Sequence, residues 1–205
     1  CALATVAQGR RPARLVVHLA KPWNKDRTSI THELPTGETA EALAVSRHFL
    51  AVFTSPQRFL RVHALSGVPI AALALGGDVV CLAASDDLLL CVTQAPGSRG
   101  VEPCLEYALF GVSAKERLAT GSLPLSPASA LRWVGFSVEA LPLALDSAGV
   151  LRALALSGEK PLLAPSSGEW LPVAELPGRG ELLWPVRAEG GALHCAALHK
   201  AGSEP

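Results

Sequence analysis

Apolar residues come in short runs along this chain, and glycine and proline interrupt them throughout. The runs Arg14-Leu15-Val16-Val17-His18-Leu19, Phe49-Leu50-Ala51-Val52-Phe53 and Phe59-Leu60-Arg61-Val62-His63-Ala64-Leu65 are each of strand length. So are Val79-Val80-Cys81-Leu82-Ala83 and Leu88-Leu89-Leu90-Cys91-Val92. Turn sequences close several of them: Thr54-Ser55-Pro56, Ser66-Gly67 and Ser85-Asp86-Asp87. Alanine and leucine are good helix formers. The longest stretches free of Gly and Pro are nevertheless residues 38–55 and 78–95, and frequent turns mark an all-β chain. The runs are nearly continuous rather than alternating, which predicts strands covered on both faces.

A repeat sharpens the prediction. Residues 60–67 read Leu-Arg-Val-His-Ala-Leu-Ser-Gly and residues 151–158 read Leu-Arg-Ala-Leu-Ala-Leu-Ser-Gly, six of eight identical at an offset of 91. Upstream, Leu50-Ala51-Val52 before a turn corresponds to Leu143-Ala144-Leu145 before Asp146-Ser147-Ala148-Gly149. Between them lies a third unit. It runs from Leu88 to Val92, through a loop with Gly97 and Gly100, into Cys104-Leu105-Glu106-Tyr107-Ala108-Leu109-Phe110. A period of roughly 45 residues matches a four-stranded propeller blade. Radial packing of such sheets hides both faces of each one. The expectation is an all-β β-propeller, here an incomplete ring of four to five blades.

Composition narrows the function. Half the chain (49%) is apolar, and 18 basic residues balance 18 acidic ones. That neutrality gives no electrostatic reason to sit on nucleic acid or on a membrane. Arg10-Arg11 with Arg14 is the only tight basic cluster and reads as a solvated loop. No apolar run is long enough to span a bilayer as a helix. The chain holds no Met and begins with Cys1, so it reads as a piece of a longer protein. Five cysteines without a Cys-x-x-Cys pair read as reduced core thiols. His194-Cys195 with His199 lacks the partner ligands a zinc site needs, so no metal and no cofactor are expected. Walker, Gly-x-Ser-x-Gly, His-Glu-x-x-His and Gly-x-Gly-x-x-Gly patterns are all missing, and no catalytic residue is assigned.

One stretch is more specific. Leu131-Arg132-Trp133-Val134-Gly135-Phe136-Ser137-Val138-Glu139, then Leu141-Pro142, then Asp146-Ser147-Ala148-Gly149-Val150-Leu151-Arg152, resembles a signature of the WD-repeat and HMG-box DNA-binding protein family. The match is to its second propeller, the SepB domain. Gly77-Asp78-Val79-Val80 stands where that family has Gly-Pro-Val-Val, with Asp78 in place of proline. Leu123-Pro124-Leu125, Cys104-Leu105, Leu60-Arg61-Val62 with Gly67, Trp170 and Trp184-Pro185-Val186 follow the family's order. The resemblance covers roughly residues 35–200.

The resemblance implies a six-bladed propeller in a non-enzymatic, trimeric adaptor of the nucleus. Such adaptors link the replicative helicase to DNA polymerase alpha at the replication fork. Residues 1–205 are then expected to be a partial SepB-type propeller, without the family's flanking WD repeats, helical bundle and HMG box. The family's client-binding surface, on that bundle, maps to no residue here. The signature residues Trp133, Gly135, Phe136, Asp146, Ser147, Gly149 and Arg152 read as structural. The aromatics belong to the core. Asp146 and Ser147 cap a turn that Gly149 completes. Arg61 and Arg152, at equivalent repeat positions, donate to loop carbonyls or a carboxylate. An intracellular interaction propeller of another pathway is the alternative.

Overall fold

The computed structural model describes residues 2–5, 12–18, 29–95, 104–156, 168–176 and 182–198. Every regular element among them is a β-strand. The first sheet is β1 (Ala2–Thr5), β2 (Arg14–His18) and β3 (Ser29–Glu33). The second is β4 (Thr39–Val45), β5 (Phe49–Ser55), β6 (Phe59–Ala64) and β7 (Pro69–Ala74). The third is β8 (Val79–Ser85), β9 (Leu88–Gln94), β10 (Leu105–Gly111) and β11 (Glu116–Leu123). The fourth is β12 (Leu131–Phe136), β13 (Pro142–Asp146), β14 (Val150–Leu156) and β15 (Gly168–Glu175). The fifth is β16 (Leu182–Glu189) and β17 (Ala192–Leu198). All pairings are antiparallel between sequence neighbours, so each sheet is a meander.

The first strands of successive sheets lie side by side: β1 by β4, β4 by β8, β8 by β12 and β12 by β16. Each sheet therefore starts at a common axis and works outwards, as the vanes of a propeller do. The described sheets do not close into a ring. The repeat is architectural. Leu60 to Ala64 lie on β6 and Leu151 to Leu156 on β14, the third strands of their sheets. Ser157 and Gly158 lie outside the described residues. The turn after β5 holds a cis Ser55–Pro56 bond.

Side-chain alternation explains the unbroken apolar runs. Successive residues of a strand point to opposite faces, and here each face meets a different neighbouring sheet. On β5, Leu50 and Val52 pack with Leu15 and Val17 of the first sheet. Phe49, Ala51 and Phe53 pack with Leu89, Cys91 and Phe110 of the third. On β9, Leu90 and Val92 turn the other way, towards Ala144, Leu154 and Trp170 of the fourth. Leu143 and Leu145 of β13 face Ala188 of the fifth. The four cores are thus the four junctions between sheets, and strands such as β5 and β13 are buried along almost their whole length. Outer strands are wetter: most of β15 is exposed, with Leu171 and Val173 among its open side chains.

Of the described cysteines, Cys91 is buried and Cys81 half-buried, and burial pushes both thiols up to about 12. Cys104 is exposed, so the expectation of core thiols fails there. Its position at the mouth of β10, outside the strand, leaves it no sheet face to occupy.

Candidate functional site

Trp133, Gly135 and Phe136 lie on β12, and the odd spacing of the two aromatics separates their faces. Phe136 packs into the junction of the third and fourth sheets, and Trp133 into that of the fourth and fifth. Both are half-buried against those cores. The Trp133 indole lies against the Gly135 backbone: a Cβ there would come within 2.5 Å of both Cζ2 and Cη2. Gly135→Ala is expected to expel the indole and destabilise the chain by about 1–3 kcal/mol, the usual cost of overpacking. A urea titration followed by tryptophan emission reads both effects.

Asp146 ends β13 and is almost wholly buried (1% exposed). One carboxylate oxygen, Oδ1, accepts from the amides of Ala148 and Val150, each at 3.0 Å, which closes the turn into β14. The other, Oδ2, accepts from Arg152 Nη1 at 2.6 Å, from the Ser126 hydroxyl at 2.7 Å and from the Ser126 amide at 3.0 Å. Arg152 Nη2 also donates to the Ser126 hydroxyl oxygen at 3.0 Å. Burial alone would raise this carboxyl. Arg152, Ser126 and the Val150 amide outweigh it and hold Asp146 well below the usual carboxylate range.

Ser147 continues the same clamp. Its amide donates to the Ala130 carbonyl at 2.8 Å, and its hydroxyl oxygen accepts from the Ala130 amide at 2.9 Å. Gly149 takes φ +89°, where a side chain is strained, and a Cβ there would also meet the Leu176 carbonyl oxygen at 2.9 Å. The turn therefore grips residues 124–130, the loop that leads from the outermost strand of the third sheet to the innermost strand of the fourth. Asp146 and Ser147 bond to different groups and do not form a nucleophile–base pair.

Arg61 makes the matching contact one blade-pair earlier. Its guanidinium is bidentate on Glu38, with Nε at 2.7 Å from Oε2 and Nη2 on Oε1. Glu38 is buried (3% exposed) in the loop that leads into β4. The Arg61 hydrogen bond, partly opposed by burial, lowers its carboxyl. Both repeat arginines thus fasten the loop entering their own sheet. The sequence pointed to the arginines and to a carboxylate acceptor, but not to Glu38 or Ser126, which lie outside the repeated words.

His63 of β6 stacks on His32 of β3 across the first junction, with ring centroids 6.5 Å apart and planes 9° from parallel. Burial pushes the His63 imidazole down, reinforced by His32 and Arg61 and only partly offset by the Gly67 backbone. The unfolded chain therefore takes up this proton at higher pH than the folded one. Stability is complete above pH about 6.5 and falls as the pH drops below it. His63→Phe is expected to flatten that slope in urea titrations between pH about 7.5 and 5.5.

Arg14 pairs with Glu33 at 2.9 Å on the open face of the first sheet, and Arg10 and Arg11 lie outside the described residues. Asp86 and Asp87 form the β8–β9 turn as expected, and Asp86 pairs with Arg47 at 2.5 Å. His194 and Cys195 are neighbours on β17 and so face opposite ways; His199 lies outside the described residues. Among the described residues, no three His, Cys, Asp or Glu side chains gather where a metal could bind.

This architecture has known counterparts. A sequence profile described as minichromosome loss protein, Mcl1, middle region, matches residues 1–205. The chain belongs to that family. It is 32% identical over 134 residues to human WD repeat and HMG-box DNA-binding protein 1, covering 64% of this chain and 12% of that protein. The Xenopus laevis protein of the same name is 32% identical over 124 residues, with coverages of 60% and 11%. The Arabidopsis thaliana protein ENHANCER OF LHP1 1 is 30% identical over 173 residues, with coverages of 82% and 17%. The chain therefore spans only a small part of the length of these relatives. Among solved structures, the crystal structure of HIRA(644-1017) matches with a TM-score of 0.53 at 15% identity, over 83% of this chain and 49% of that one. That likeness concerns the fold. In this Mcl1-type middle region, Asp146 and Arg152 join the β13–β14 turn to the loop that enters the fourth sheet.

Proposed function

We propose that this chain is part of a non-enzymatic scaffold of the DNA replication fork. In this reading its propeller helps to link the replicative helicase to DNA polymerase alpha. The observation that carries the reading is the family match along all 205 residues. The names of the human and frog relatives, WD repeat and HMG-box DNA-binding protein 1, support a setting on chromatin in the nucleus. The chemistry of the signature agrees with binding: its buried charges are spent on holding loops to sheets. A rigid blade stack fixes the spacing between bound partners, and a homotrimer would multiply weak contacts by effective concentration. Direct nucleic-acid binding by this segment is not part of the proposal, because its net charge is zero.

The test uses the full-length protein. Light scattering should give three times the mass of one chain. Precipitation from nuclear extract should recover helicase and polymerase alpha subunits. A monomer that recovers neither would overturn the proposal. A second reading, an interaction propeller of another pathway, draws on the plant relative, whose name refers to LHP1 and not to replication. Recovery of other partners alone would favour it.

A further inference from the structure

We propose that the outer groove between the second and third sheets docks a short acidic peptide segment carrying an apolar anchor. The proposal rests on the scaffold reading above and says where and how one class of client is held. The groove encloses about 330 Å³, near the lower end of ligand pockets, so it suits a side chain or two rather than a folded domain. Val62, Leu73, Leu89 and Phe110 supply its apolar floor, and Lys115 and Arg117 line it at the β10–β11 hairpin.

Three observations single it out. First, both flanking sheets have four described strands, the full complement of a propeller blade. The comparable hollow beside Leu143 and Ala188 abuts a sheet with only two described strands.

Second, the charge is one-sided. Lys115 and Arg117 line the groove while the intervening Glu116 does not. Arg117 is exposed and lies over the Phe110 ring, its central carbon 5.3 Å from the centroid, and a guanidinium held by its face can donate to a carboxylate through its N–H edge. A carboxylate beside an apolar side chain is the ligand that satisfies floor and rim together. A phosphodiester backbone would find the same two cations but would leave the floor unused.

Third, the hairpin is held in advance. The Ser113 amide and hydroxyl donate to Asp87 Oδ1 at 2.8 and 2.5 Å, and the Val112 amide donates to the Asp87 carbonyl at 2.9 Å. Within that brace Lys115 takes φ +54°, a conformation a non-glycine residue adopts only when its surroundings impose it. A backbone fixed in advance loses less freedom when a ligand arrives.

Fluorescence anisotropy on the full chain tests this. The probe is a fluorescein-labelled peptide in which Leu-x-Phe is flanked by aspartates. The controls are the same peptide with lysines for aspartates and a labelled oligothymidine. Saturable binding is expected for the acidic peptide alone, weakening as salt rises. The exposed double variant Lys115→Glu/Arg117→Glu should weaken it by about tenfold or more. Ala71→Phe, which fills the groove from β7, should abolish it, and the surface variant keeps the test decisive if that one misfolds. Unchanged affinity in the double variant, equal binding of the lysine peptide or preferential binding of the oligonucleotide would each overturn the proposal. Helicase and polymerase recovery by a protein that ignores the acidic peptide would sink the groove and leave the scaffold standing.

Discussion

Asp146→Ala should cost about 3–5 kcal/mol, the range for stripping one partner from a buried ion pair. Its side chain is completely enclosed, and that of Arg152 is 12% exposed. Removal leaves the guanidinium without its counter-ion and frees the Ser126, Ala148 and Val150 amides, all now held by one carboxylate. Because the same oxygens fasten residues 124–130, the entry of the fourth sheet should loosen together with the β13–β14 turn. Urea denaturation reads the cost, and amide exchange at Ser126, Ala148 and Val150 reads its location. Ser147→Ala, which loses one hydrogen bond to the Ala130 amide, should cost about 1 kcal/mol. Equal costs for the two variants would remove Asp146 from the centre of the clamp.

The same carboxylate sets an acid limit. Its folded form titrates below its unfolded value of about 3.9. As the pH falls, the unfolded chain is protonated first. The contribution is complete above pH about 4 and drains away below it. An Asp146→Asn variant should lack that loss on acidification, at the price of lower stability at neutral pH.

The fold was legible because its logic repeats. Leu60-Arg61 and Leu151-Arg152 recur since β6 and β14 occupy the same place in equivalent sheets. The unbroken run Phe49 to Phe53 is unbroken because alternate residues serve two junctions. Inner and outer strands were harder to read. β4 lies between β1 and β8 but meets them largely through alanines, and β7 packs into one junction only, so neither sequence carries a long run of large apolar residues. The contacts of the site came through only by half. Arginine repeats because its strand repeats, whereas its acceptors come from unlike places: Glu38 and Ser126 from loops of different length, Asp146 from the end of β13. Tyr107 left no signal either. Its hydroxyl donates to the Gly168 carbonyl at 3.2 Å and accepts from the Gly168 amide at 3.1 Å, a contact spanning 61 residues that no local pattern announces.

Leu90→Ala is expected to cost about 4–5 kcal/mol, near the top of the range for large-to-small core changes. Leu90 has no exposed surface and lies in the junction of the third and fourth sheets, enclosed by Val92, Tyr107, Ala144, Leu154 and Trp170. A void there has nothing mobile beside it to collapse inwards, and the cost rises with the volume left empty. Leu89, its neighbour, is equally buried but lines the outer groove of the other junction. A space opened there merges with the groove and admits water, so Leu89→Ala should cost only about 2–3 kcal/mol. The two variants should also loosen different partners. Leu90→Ala should shift the emission of Trp170, which meets Tyr107 edge-on at 5.4 Å in the same junction. Leu89→Ala should leave that emission alone and speed amide exchange on β6 and β10 instead. Two adjacent leucines of one strand can report on separate junctions only if sheets flank that strand on both sides. If both variants disturbed one common set of residues, radial stacking would be the wrong description of this chain.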